Sequence, residues 1–89
     1  MKTEEMMLDG NAIGGMMLEL FGREMTMVVS TCRSCGATGP LASVDVYMKA
    51  PGVVVRCRTC ESVLMKIVRS PKRVWLDVDG VSMMQLDAY

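Results

Sequence analysis

Cys32-Arg33-Ser34-Cys35 and Cys57-Arg58-Thr59-Cys60 form two C-x-x-C units with 21 residues between them. Two intervening residues let a tight turn bring both sulfurs of a pair to one side of a metal ion. Backbone N–H groups of the same turn can then donate to the thiolates and spread their charge. Two such turns supply four sulfurs in a tetrahedron about 2.3 Å from Zn²⁺. The gap between the pairs is one residue beyond the roughly 15–20 that mark paired-cysteine zinc sites. Gly36 follows the first pair, where left-handed backbone is commonly required. Glu61 stands in the matching place of the second pair and makes that turn less ideal. A shell of four thiolates leaves no position for water or substrate, so the expected role of Cys32, Cys35, Cys57 and Cys60 is structural. Converting four thiols to thiolates on one dication changes the net charge of the protein by −2.

Other chemistries are open to the same sulfurs. A redox dithiol of the thioredoxin kind needs a helix N-terminus beside the C-x-x-C to lower the thiol pKa, and neither pair precedes a convincing helix pattern. Structural disulfides belong to oxidising compartments, and the start, Met1-Lys2-Thr3-Glu4-Glu5, carries no apolar export stretch. Iron or another thiophilic metal fits the same cage. Zinc is the expected cofactor, and a thiol redox or redox-sensing protein is the alternative function.

The absence of histidine removes the usual general base and the commonest metal ligand. No Ser-His-Asp or Cys-His nucleophile can be assembled. Gly10, Gly14 and Gly15 lack the spacing and the preceding strand of a phosphate-binding loop. No enzymatic activity and no small-molecule substrate are therefore expected. Arg33, Arg56 and Arg58 flank the cysteines, where they could contact phosphate or offset the metal cluster. A second basic group, Lys66, Arg69, Lys72 and Arg73, lies near Trp75, and such interleaving can build a stacking platform for single strands. Asp77 and Asp79 would repel phosphate there, so nucleic acid is the weaker expectation and a protein partner stands beside it. The methionine doublets 6–7, 16–17 and 83–84 read as core or interface filler rather than copper ligands.

The elements that would carry these residues follow from periodicity. Asp9 is a good N-cap, and Ile13, Met16, Met17, Leu20 and Phe21 form the stripe of an amphipathic helix closed by Gly22. Residues 1–8 read as a polar, frayed start. From Arg23 the period falls to two: Met25, Met27 and Val29 lead to Cys32, and Val44, Val46 and Met48 form the next strand. Ala50-Pro51-Gly52-Val53 suits a type II turn. Residues 53–56 return the chain to Cys57, residues 63–69 form another strand, and Ser70-Pro71-Lys72-Arg73 turns into a strand at 74–78. Asp79-Gly80 is a hairpin signal that predicts residues 81–86 as the partner of 74–78. The helical stripe at 9–21 could pack on its own sheet or join two copies as a homodimer.

The chain has 89 residues, 51% of them apolar and 22% charged, with Phe21, Tyr47, Trp75 and Tyr89 its only aromatics. Backbone entropy opposes folding by roughly 1–2 kcal/mol per residue, and a small core barely offsets it. Eleven methionines fill space but specify a core weakly, so a metal cross-link is expected on energetic grounds. Ten basic and ten acidic residues cancel, which argues against wholesale attachment to DNA or anionic lipid. The cancellation hides an asymmetry: residues 1–22 hold one positive and four negative charges, leaving nine positive and six negative for residues 23–89. The longest apolar run is too short to span a membrane, and a cytoplasmic location is expected.

On its cysteine knuckles the chain resembles the zinc-ribbon group, in which two β-hairpins hold one structural zinc. The likeness covers roughly residues 25–69. More narrowly, Leu8-Asp9-Gly10-Asn11-Ala12, Phe21-Gly22, the pair Cys32 and Cys35 with Gly36, and Pro51-Gly52-Val53 are similar to a small bacterial family of uncharacterised zinc-ribbon proteins. That resemblance implies a structural zinc and no catalytic residues; zinc ribbons at large serve transcription, translation or protein assembly. The expectation is a small α+β metal-bound domain: an N-terminal helix or arm at 1–22, then an antiparallel zinc ribbon at 23–89 with a C-terminal β-hairpin. Its expected function is a non-enzymatic interaction module.

Overall fold

A computed structural model of the protein describes residues 6–49 and 52–88. Two antiparallel sheets make up most of it. The larger takes β1 (Met6–Asp9), β4 (Asp45–Lys49), β5 (Gly52–Arg56), β6 (Val63–Arg69) and β7 (Val74–Asp77) in the order β1-β4-β5-β6-β7. The smaller takes β3 (Thr38–Pro40), β2 (Val29–Cys32) and β8 (Val81–Gln85) in the order β3-β2-β8. A 3₁₀ turn (Gly10–Ile13) and one short helix, α1 (Gly14–Phe21), lie between β1 and β2. No helix among the described residues is long and apolar enough to cross a membrane.

Strand alternation builds the core. Register sets Val46 opposite Val55, Met48 opposite Val53, Val53 opposite Ile67 and Val55 opposite Met65, so one face of β4, β5 and β6 is a continuous aliphatic surface. Val46, Val55 and Ile67 are fully enclosed. A bulge between Val55 and Arg56 leaves Leu64 as the extra residue of β6, and Leu64 is buried as well. Ile13 and Met17 from the helical segment, with Met25, Val28, Leu41 and the thiols Cys32 and Cys57, complete one cluster. Met16, Leu20 and Phe21 pack against it, so the helical stripe covers the chain's own core.

Several expectations change. The helix is preceded by a strand, Met6–Asp9, paired with β4, which replaces the frayed start expected at residues 6–8; residues 1–5 of that start lie outside the described residues. Asp9 does cap, with the Asn11 N–H donating to its Oδ1 at 3.0 Å, but it caps the 3₁₀ turn. Gly10 there lies so close to the Leu41 carbonyl that an added Cβ would meet it at 1.6 Å. The strand expected from residue 25 starts only at Val29. Glu24 Oε1 accepts both the Thr26 N–H (2.7 Å) and its hydroxyl (2.6 Å), which turns the chain, buries Met25 and Val28, and exposes Met27.

The C-terminal β-hairpin does not form. β8 leaves β7 and pairs with β2 in the other sheet. At Asp79-Gly80 the chain crosses between sheets: the Gly80 N–H donates to the Leu64 carbonyl at 3.1 Å, and the Arg33 N–H donates to the Gly80 carbonyl at 2.9 Å. A Cβ at Gly80 would meet the Val63 oxygen at 1.9 Å, so this glycine serves close backbone approach rather than a hairpin turn. The turn expected at Ala50-Pro51 and the aromatic Tyr89 lie outside the described residues.

Candidate metal centre

The two C-x-x-C units fold into knuckles with matching backbone hydrogen bonds. In the first, Cys32 ends β2, the Gly36 N–H donates to the Cys32 carbonyl at 2.9 Å, and the Cys32 N–H donates to the Ala37 carbonyl at 2.9 Å. In the second, Cys57 follows β5, the Glu61 N–H donates to the Cys57 carbonyl at 2.8 Å, and the Cys57 N–H donates to the Ser62 carbonyl at 2.9 Å. Both turns use left-handed backbone four residues after the leading cysteine: φ is 78° at Gly36 and 67° at Glu61. Glu61 thus completes the same turn as the glycine, at a conformational cost of about 1 kcal/mol for its Cβ.

These turns bring the four sulfurs together. All four Sγ atoms lie within 4.8 Å of one another, no disulfide joins them, and Cys32 to Cys60 and Cys35 to Cys57 are each 3.7 Å apart. A tetrahedron with metal–sulfur bonds of about 2.3 Å has sulfur–sulfur edges of about 3.8 Å, which the two 3.7 Å pairs match and the other pairs, all within 4.8 Å, approach. Each of the two 3.7 Å pairs spans both knuckles, and an ion there would tie β2 to β5 and hence one sheet to the other. Cys32 and Cys57 are buried, and Cys35 and Cys60 face solvent.

Donors surround the exposed sulfurs. The Ala37 N–H reaches Cys35 Sγ at 3.4 Å. At the matching place the Ser62 hydroxyl and N–H both act on Cys60 and hold its thiol down at about 6. The Ala37 amide also pulls Cys35 down, but lost solvation and the neighbouring thiols outweigh it and push Cys35 up to about 12. Among closely packed thiols the first proton lost makes the others harder to remove, and a dication removes that penalty.

The basic residues separate into two groups. Arg33 donates through Nε to the Asp79 carbonyl (2.8 Å) and through Nη2 to the Val81 carbonyl (3.2 Å), holding the crossover to the first knuckle. Arg56 donates through Nη1 to the Glu61 carbonyl at 2.9 Å and lies over the Tyr47 ring. Arg58 pairs with Asp45 at 3.1 Å. All three brace the knuckles against neighbouring backbone or strands. Arg69 reaches Glu19 on α1 at 3.6 Å. Lys72 and Arg73 sit in the β6–β7 turn, where Ser70 Oγ accepts both backbone N–H groups, and Trp75 is 54% exposed on β7. Ser62 and Asp45 were not singled out from the sequence as site residues. The place of Ser62, two residues after Cys60 as Ala37 is after Cys35, was the available signal.

The arrangement can hold one metal ion through four cysteine sulfurs. No curated protein and no solved structure matches the chain. The profile of DUF6510, a family of unknown function, matches residues 2–89, and the chain belongs to that family.

Proposed function

We propose that Cys32, Cys35, Cys57 and Cys60 hold a single structural Zn²⁺ in a zinc-ribbon arrangement, and that the protein is a non-enzymatic cytoplasmic module that binds another macromolecule. The observation that carries this reading is the pair of 3.7 Å sulfur separations across the knuckles, close to the edge of a zinc tetrathiolate. Protein sulfurs fill all four positions, which suits a structural ion. Binding worth about 10–16 kcal/mol would be coupled directly to folding. A protein partner is favoured over nucleic acid, because Arg33, Arg56 and Arg58 are engaged in carbonyl or carboxylate contacts.

A thiol-redox role draws on one feature, the solvent-facing Cys60 with its lowered pKa. Native mass spectrometry combined with alkylation separates the two readings. One zinc per chain and slow alkylation support the structural role. Metal-free, folded protein that alkylates within seconds would overturn it in favour of redox chemistry. A salt titration against single-stranded and duplex nucleic acid tests the partner: binding with a steep salt slope that weakens in Arg73→Ala would favour nucleic acid over a protein partner.

A further inference from the structure

β7 is an edge strand: β6 pairs with it on one side, and among the described residues no strand pairs with it on the other. Val74, Trp75 and Leu76 on the strand and Val78 just after it are all exposed, by 42%, 54%, 41% and 41%. Exposed edges of this kind are normally interrupted by charge or proline, and these residues carry neither at their centre.

The unpaired backbone groups can be assigned. The Ser70 N–H donates to the Arg73 carbonyl at 2.8 Å, and the register runs Arg69 to Val74, Val68 to Trp75, Ile67 to Leu76 and Lys66 to Asp77. Alternation in an antiparallel ladder then directs the backbone groups of Trp75 and Asp77 towards β6. Those of Val74 and Leu76 point to the free edge. The Val78 carbonyl already accepts the Val81 N–H at 3.1 Å.

Charge along this strand selects the occupant. Lys72 and Arg73 precede the apolar centre, and Asp77 and Asp79 end it. A parallel copy would set like charges together; an antiparallel copy sets each basic end against an acidic end. The geometry points to β7 as the seat of a two-fold dimer, in which the strand pairs antiparallel with β7 of a second copy, Trp75 opposite Trp75 and Arg73 opposite Asp77. In that register Val74 and Leu76 exchange N–H···O=C bonds with Leu76 and Val74 of the other copy. The face bearing Arg73, Trp75 and Asp77 meets its own pattern reversed, an isologous contact. Each chain has zero formal net charge with neutral thiols and −2 with a dication on four thiolates, so overall repulsion against association is small. The proposal does not depend on which metal the thiols hold.

A strand pair of this length buries less than the roughly 800 Å² per partner of standard interfaces, so the dimer is concentration-dependent. Sedimentation velocity of the metal-loaded full chain from about 5 to 500 µM should show a reversible monomer–dimer equilibrium. Arg73→Asp and Asp77→Arg place like charges directly opposite in each homodimer and should weaken it about tenfold or more. An equimolar mixture of the two variants restores the opposite pairing and should recover dimer. Leu76→Pro removes an edge N–H and should leave a folded monomer, with metal content and amide dispersion as folding controls. If this variant does not fold, the charge exchange decides alone. A wild-type protein that stays monomeric throughout, a dimer that survives both charge reversals, or a mixture that fails to recover would each overturn the proposal.

Discussion

Left-handed backbone four residues after each leading cysteine closes the two knuckles, and the two positions use different residues for it: Gly36 at φ 78° and Glu61 at φ 67°. Opposite effects should follow from substitution. Glu61→Gly relieves the Cβ penalty and should stabilise the metal-loaded protein by about 1 kcal/mol, whereas Gly36→Ala should destabilise it by about the same. Thermal melts would register each as roughly 4–8 °C in a domain of this size. A pH effect belongs to the same scale. The Ser62 hydroxyl and N–H lower the Cys60 pKa, so Ser62→Ala should raise it. A thiol of higher pKa holds its proton to higher pH and competes better with the metal, so acid-driven metal release should begin at higher pH in the variant. The shift should be about 0.25 unit, one ligand's share of a four-proton exchange, read by a chromophoric zinc indicator.

Among the elements, the crossover between β7 and β8 has the largest structural consequence. Gly80 lies against the backbone of Val63 and Leu64, and Arg33 clamps the carbonyls of Asp79 and Val81. Gly80→Ala must move backbone rather than a flexible side chain and should cost about 2–3 kcal/mol or more. Hydrogen exchange should show amide protection lost along β2 and β8 while β4, β5 and β6 remain protected; loss spread evenly over both sheets would contradict the crossover role. The strand at 45–49 was legible because Val46 and Met48 alternate with Asp45, Tyr47 and Lys49, and those at 52–56 and 63–69 because short aliphatic runs rich in valine are bounded by turn residues. Asp79-Gly80 misled because a local turn signal carries no information about which strand the outgoing chain will pair with. β1 was missed because Met6, Met7 and Leu8 do not alternate, and its pairing with β4 spans more than thirty residues.

At the scale of the whole molecule, no aromatic is fully buried among the described residues, and with Phe21 only at the margin of the cluster aliphatic side chains, methionine and two thiols hold both sheets. An ion at the four sulfurs would join the sheets through β2 and β5. Chelation should therefore collapse the dispersed amide spectrum and abolish the cooperative melt, and added zinc should restore both. Cys57→Ser should unfold the protein at 25 °C; a chelated chain keeping a sharp spectrum would show that the core suffices without metal. What the amino-acid order determined by itself was the candidate ligand set of four cysteines brought close together, since C-x-x-C spacing dictates a local turn whatever surrounds it, together with the central strands and the αL end of the helix. Tertiary structure alone decided which arginines brace the knuckles, that β8 joins β2, and that Trp75 lies on an open edge. Those outcomes depend on contacts between residues far apart in the chain, whose free energies no local pattern encodes.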